Sequence, residues 1–214
     1  MRRLLSAVLV TVPVLLAACA AAPPEPPATA VPAAGTTPFN VLGRADAPVT
    51  IIEFTDLQCP YCARYATQTF PRLRRDYIDT GKLRYTSRDL PLPFHDFALP
   101  AAVASRCAGE QGRFWEYRDA LFAAQGLLGT EPYARLAREL GLDVARLEAC
   151  RGDGRQEANV RADLALARSN GIGSTPAFVV GRLVNGQFQG EVITGAQPYD
   201  VFAAKIEALL AAPR

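Results

Sequence analysis

Cys59 and Cys62 are separated only by Pro60 and Tyr61, and that spacing suits two kinds of chemistry. One is thiol–disulfide exchange; the other is half of a structural zinc site. Zinc usually takes four nitrogen or sulfur ligands, often as a second closely spaced pair. The other cysteines, Cys19, Cys107 and Cys150, are isolated from one another, and the only histidine is His95. Exchange is therefore the expected chemistry, with no metal and no other cofactor. The pair follows a strand-like apolar run, Val49 to Phe54, and opens a helix-like stretch from Pro60 to about Tyr77. A strand-to-helix junction places the first sulfur at a helix N-terminus, where unpaired N–H groups and the helix dipole favour a thiolate. Pro60 suits the first helical position, because its missing N–H costs nothing there. Cys59, at the exposed helix start, should titrate well below a free thiol, and Cys62 should not.

Glu53 interrupts the apolar strand six residues before Cys59. Buried without a partner, its carboxyl would rise toward neutrality and act as a proton acceptor. A solvent-facing or edge position would give it no such role, and Asp56 is the weaker candidate for the same task. His95 is the one residue available to a Cys–His nucleophile, but nothing marks the orienting third group that scheme needs. A surface or capping role is expected for it. Phe114, Trp115 and Tyr117 read as helical core rather than as a ligand box. Copper delivery through two soft thiolates is an alternative from another class, although the only Met is Met1.

The elements that must position these residues run in the order strand, helix, strand, several helices, hairpin, helix. Val49 to Thr55 is the first strong strand, and Lys82 to Ser87 reads as the second, after Gly81. From Phe94 to about Asn170, Ala, Leu, Arg and Glu recur at helical spacing, with glycine breaks near 109–112, 126–129, 141 and 152–154. Ala177 to Val184 and Gln187 to Thr194 flank Asn185-Gly186, a strong hairpin signal. Val201, Phe202, Ile206, Leu209 and Leu210 line one side of a closing helix.

Ahead of this domain, Arg2 and Arg3 precede an apolar run that ends in Leu16-Ala17-Ala18-Cys19. A charged start, a short apolar core and small residues at the boundary describe a secretory signal. The boundary resembles the bacterial lipobox, which implies lipidation of Cys19 and attachment to a lipid bilayer. The alternative is an uncleaved anchor, because the run to Ala22 is nearly long enough to span a membrane. Either way the chain works outside the cytoplasm, in a periplasm or on the outer face of the envelope. Lipidated Cys19 leaves four cysteines, which pair as Cys59 with Cys62 and Cys107 with Cys150, the second pair being a structural disulfide. Two free thiols or a second redox relay are the alternatives for that pair.

The expected division is a signal over 1–18, an Ala/Pro-rich stalk over 19–38 and one domain over 39–214. The stalk should favour polyproline II at ~3.1 Å per residue, holding the domain clear of the bilayer. Without Arg2 and Arg3, the basic residues match the 21 acidic ones, so no clustered positive charge points to nucleic acid. No dimerisation segment stands before residue 40, and a monomer is expected.

Three segments together resemble the DsbA-like branch of the thioredoxin superfamily: Ile52 to Cys62, Gln111 to Tyr117 and Gly171 to Phe178. The resemblance covers about residues 40 to 211. It implies an α/β thioredoxin fold with a helical insertion, about 91–170, between a βαβ half and a C-terminal ββα half. It also implies a cis Thr175-Pro176 beside the redox pair, with the Thr175 backbone free to pair with an extended substrate. Glu53 would accept a proton from the second thiol, Cys62. The implied activity is dithiol oxidation of reduced exported proteins, with a membrane quinone-linked reoxidant of the DsbB or VKOR kind. A reductase or isomerase remains the alternative, since Cys-Pro-Tyr-Cys also resembles glutaredoxins. The hairpin over 181–191 is longer than the family pattern, and its extra residues have no assigned contact.

Overall fold

A computed structural model of the chain describes residues 38–184 and 187–212. The signal-like run, Cys19, the Ala/Pro-rich stretch up to residue 37 and the Asn185-Gly186 turn lie outside the described residues. The rest is a mixed α/β thioredoxin-like fold. Its sheet contains β1 (Val41–Leu42), β2 (Val49–Thr55), β3 (Leu83–Asp89), β4 (Ala177–Val184) and β5 (Gln187–Thr194). They lie in the order β1-β3-β2-β4-β5, with β2 and β3 parallel and the other pairs antiparallel. β2 is central and covered on both faces, which is why it reads as a nearly continuous apolar run. Its C-terminal end delivers the chain to Cys59.

Eight α-helices occur among the described residues. α1 (Pro60–Gln68) and α2 (Phe70–Leu73) follow β2, and a single π-helical turn, Arg74–Ile78, continues them. The single helix expected to reach Tyr77 is thus broken at Thr69. Pro71 has no N–H to offer the carbonyl one turn back and its ring crowds that carbonyl, so the helix restarts. β3 runs two residues beyond the expected end, because its pairing with β2 extends to Thr55 opposite Asp89. The helical insertion comprises α3 (Ala98–Gly109), α4 (Phe114–Ala123), a 3-10 turn at Gln125–Thr130, α5 (Tyr133–Glu139), α6 (Val144–Gly152) and α7 (Arg155–Ser169). α8 (Tyr199–Ala211) closes the fold. None of the described helices is long and apolar enough to cross a membrane.

One sheet face packs Ile51, Phe178 and Val180 against Tyr65, Phe70, Phe202 and Ile206, with Phe114 and Trp115 joining from α4. Phe178 and Phe202 are fully buried and meet edge to face at 4.8 Å. Burial of each such ring stabilises the fold by about 1.5–3 kcal/mol. The opposite face packs Ile52, Phe54 and Val179 against Ala167 and Ile172. A third cluster fills the insertion and includes Leu57, Cys59 and Cys62, so the inserted helices cover the redox pair. Cys107 on α3 and Cys150 on α6 are joined by a disulfide 43 residues apart in sequence. Closing a loop of that size stabilises the fold by about 2–4 kcal/mol in the chain-entropy account.

The long hairpin reaches the far edge of the domain. Arg182 donates to the Ala212 carbonyl at 3.1 Å, and Leu183 and Val184 line a cavity with Pro48 and Leu209. Gly181 and Gly190 face each other there, and a Cβ added to Gly181 would sit 2.0 Å from the Gln189 carbonyl oxygen. On α8, Phe202 and Ile206 are buried but Val201 is 41% exposed, contrary to the expected apolar side. Residues four apart share a helix face, and Val201 stands about 100° away from Phe202 around the axis.

Candidate active site

Cys59 is the N-cap of α1 in extended conformation (φ −72°, ψ 122°), with Pro60 in the first helical turn. Both cysteines are free thiols in this structure. Cys59 is only 3% exposed, so the exposed helix start expected for it is covered by neighbouring chain. Gln125, from the 3-10 turn of the insertion, donates to the carbonyls of Leu57 and Cys59 at 2.9 Å each. Gln58 accepts from the Phe97 N–H at 2.8 Å on the other side. Tyr61, by contrast, is 56% exposed beside the pair, with the Arg64 guanidinium 5.0 Å from its ring centre.

The sulfurs are chemically unlike. A hydrogen bond from the Cys62 thiol pulls the Cys59 pKa down to about 5. Burial opposes this, while the Thr175 side chain and the backbone N–H groups of Cys62 and Tyr61 add to it. Burial pushes the Cys62 thiol well up, and its bond to Cys59 pushes it further. The Asp56 N–H lies 3.5 Å from the Cys62 sulfur, and the buried Thr55 hydroxyl also favours its thiolate. Of the two thiols, Cys59 is thus the one that ionises at neutral pH, and Cys62 the one that holds its proton.

Thr175-Pro176 is a cis peptide bond, and the Thr175 carbonyl oxygen lies 3.6 Å from the Cys59 sulfur. The residues named from the third sequence segment therefore adjoin the pair across a separation of 116 residues.

Glu53 does not have the surroundings that its proposed role required. It is fully buried, but both its oxygens accept from Arg118 of α4, at 2.8 and 2.7 Å. Arg118 is itself fully enclosed, its guanidinium 4.8 Å from the Phe122 ring centre. The expectation was of a buried acid without a partner, and the structure corrects it: one nitrogen of the Arg118 guanidinium meets both Glu53 oxygens. Arg118 stands 65 residues away in sequence, and no local pattern announces the pair.

Asp56 takes a different place from the one expected. It is 1% exposed, and Oδ1 accepts from the N–H groups of Gln58 and Cys59 at 2.7 and 3.1 Å. Oδ2 accepts from the Leu92 N–H and meets His95 Nδ1, both at 2.8 Å. His95 is accordingly tied into the site rather than lying free on the surface. The signal for Asp56 was present: an Asp followed by a turn readily accepts N–H groups two and three residues on. The His95 contact, 39 residues distant, had none. Among the described residues, no cluster of three or more His, Cys, Asp or Glu has a metal-holding arrangement. Phe114, Trp115 and Tyr117 are buried in the core.

Comparison with known proteins places this geometry among relatives. A thioredoxin family model matches residues 35–207. The Na(+)/H(+) antiporter NhaA 3 of Salinispora tropica is 36% identical over 159 residues, covering 73% of this chain and 24% of that protein. The chain therefore spans about a quarter of the length of that curated relative. Among solved structures, Pseudomonas aeruginosa DsbA2 is 31% identical with a TM-score of 0.63, covering 80% of this chain and 93% of that one. Wolbachia pipientis alpha-DsbA1 is 26% identical with a TM-score of 0.71, covering 79% and 89%.

Proposed function

The chain belongs to the thioredoxin family, in its DsbA-like branch, and we propose that this thiol–disulfide oxidoreductase works as a dithiol oxidase on exported proteins. The single observation that supports this direction is the asymmetry of the pair, with Cys59 drawn down to about 5 and Cys62 pushed up. A thiolate stabilised in the reduced enzyme makes the corresponding disulfide more oxidising, by about 1.4 kcal/mol per pKa unit.

In the reaction a substrate thiolate attacks the Cys59 sulfur of the Cys59–Cys62 disulfide. A substrate–Cys59 bond forms, the Cys59–Cys62 bond breaks, and Cys62 leaves and takes up a proton. A second substrate thiolate then attacks the first substrate sulfur and expels Cys59 as the thiolate. The substrate has lost two electrons and the enzyme has gained them. The Thr175 backbone, beside Cys59, is the proposed docking edge for the substrate strand. A membrane-held, quinone-linked oxidant is the proposed acceptor of those electrons, with the enzyme acting as a monomer. Equilibration of the domain against glutathione mixtures tests the direction. The oxidase reading expects a potential at or above about −180 mV, against about −270 mV for thioredoxin. A thioredoxin-like value would leave a reductase.

The compartment is part of the same proposal. Residues 1–18 act as a lipoprotein signal, Cys19 carries lipid, residues 20–38 form a stalk and 39–214 the catalytic domain. The Cys107–Cys150 disulfide supports an oxidising location. Cys19→Ala should release the protein from the membrane fraction. Retention of that variant would favour an uncleaved anchor.

A further inference from the structure

Asp56 joins two loops through one buried carboxylate. Its Oδ1 holds the N–H groups of Gln58 and Cys59, and its Oδ2 holds the Leu92 N–H and His95. We propose that His95 is a positioning residue for the exchange chemistry, acting through Asp56 on the Cys59 thiolate. The proposal rests on the reading of Cys59 as the exchanging thiol.

A buried carboxylate beside a forming thiolate is a like-charge neighbour, and each donor it accepts reduces that opposition. Three of the four donors to Asp56 are neutral backbone N–H groups. His95 is the fourth, and the only one that can carry a full positive charge. Asp56 already accepts three backbone N–H groups, and we take the 2.8 Å contact as a fourth donor, His95 Nδ1–H, to Oδ2. The loop around the ring is closed on itself. The His95 N–H donates to the Leu92 carbonyl at 3.0 Å, and the His95 carbonyl accepts from Ala98 at 3.1 Å. The ring is therefore held against Asp56, with 17% of its side chain exposed.

The other charged groups facing the ring are few. Asp96, from the same loop, and Arg168, at the end of α7, line with His95 a cavity of about 490 Å³. Both are solvent-exposed, so water screens them, whereas Asp56 is enclosed. The Cys59–Asp56–His95 connection is thus the protected one. Loss of the His95 donor leaves the carboxylate less compensated beside Cys59, which disfavours its thiolate and so the reduced pair.

The test compares His95→Ala, His95→Asn and the control Val201→Ala in the full chain. Two quantities are read: the pH midpoint of Cys59 alkylation and the equilibrium constant of the pair against glutathione. His95→Ala should raise the midpoint and move the equilibrium about three- to tenfold toward the disulfide, as loss of one charge-assisted hydrogen bond predicts. His95→Asn, whose amide N–H can reach the same oxygen, should recover most of both. Val201 on α8 is 41% exposed and away from the ring, and its replacement should move neither. If His95→Ala fails to fold, His95→Leu against His95→Asn makes the same comparison. The proposal is overturned if the donor-less variant matches the parent or the control, or if His95→Asn recovers nothing. The readout is a difference from the parent, so a reducing parent potential would defeat the oxidase reading and leave this proposal intact.

Discussion

Replacing Cys59 with serine should reduce thiol–disulfide exchange to the uncatalysed background, while Cys62→Ala should leave a protein that captures disulfides but cannot release them. The two outcomes differ because the two sulfurs differ. Cys59 has a pKa drawn down to about 5, so it supplies the attacking thiolate. Cys62 is fully buried and held in its protonated form, so it serves to resolve the bond that Cys59 makes. Without Cys62, the Cys59 thiolate still attacks a substrate disulfide, and the mixed disulfide persists. Non-reducing mass analysis reads this directly: one adduct per chain in Cys62→Ala and none in Cys59→Ser. Adducts in Cys59→Ser with none in Cys62→Ala would reverse the assigned roles.

Arg118→Ala should destabilise the fold by about 3–5 kcal/mol, because it leaves the buried Glu53 without its ion-pair partner. Both members of this pair are fully buried, and Glu53 sits on the central strand while Arg118 comes from the inserted helices. Desolvation of the two charges is costly, so the pair holds the insertion in register more than it adds net stability. Replacing both members together, as Glu53→Leu with Arg118→Met, should therefore cost much less than Arg118→Ala alone. Denaturant midpoints compare the two. Equal losses would mean that the charge pairing is not what the single variant disrupts.

The readable parts of the fold were those written in adjacent residues. The apolar run of β2, the β4 and β5 segments on either side of a turn pair, and the glycine breaks between inserted helices all carry local signals. β1 escaped because two residues, Val41 and Leu42, are too few to show alternation. The break at Thr69 was legible in Pro71, but the surrounding helical composition outweighed it. At the site, the types and spacing of Cys59, Pro60 and Cys62 carried their own chemistry. What surrounds them did not, because it is assembled from distant segments: Arg118 beneath Glu53, His95 against Asp56, Gln125 over the Cys59 carbonyl. Periodicity fixes which face a residue turns to, not which long-range partner awaits it there. Glu53 shows the consequence, since a buried acid reads the same in sequence with a partner or without one.

The most direct test of the account is the titration of Cys59 itself. In the reduced protein its alkylation rate should follow the thiolate fraction, rising through a midpoint near 5 and levelling above it, while Cys62 stays unreactive through neutrality. The linked stability has a definite sign. A thiol pKa lowered by folding stabilises the reduced state fully above the unfolded value of about 8.5, and that stability is lost as pH falls through the folded value near 5. The melting temperature of the reduced form relative to the oxidised form should therefore fall over that window. A Cys59 midpoint near the ordinary thiol value, with no change in that difference, would contradict the account.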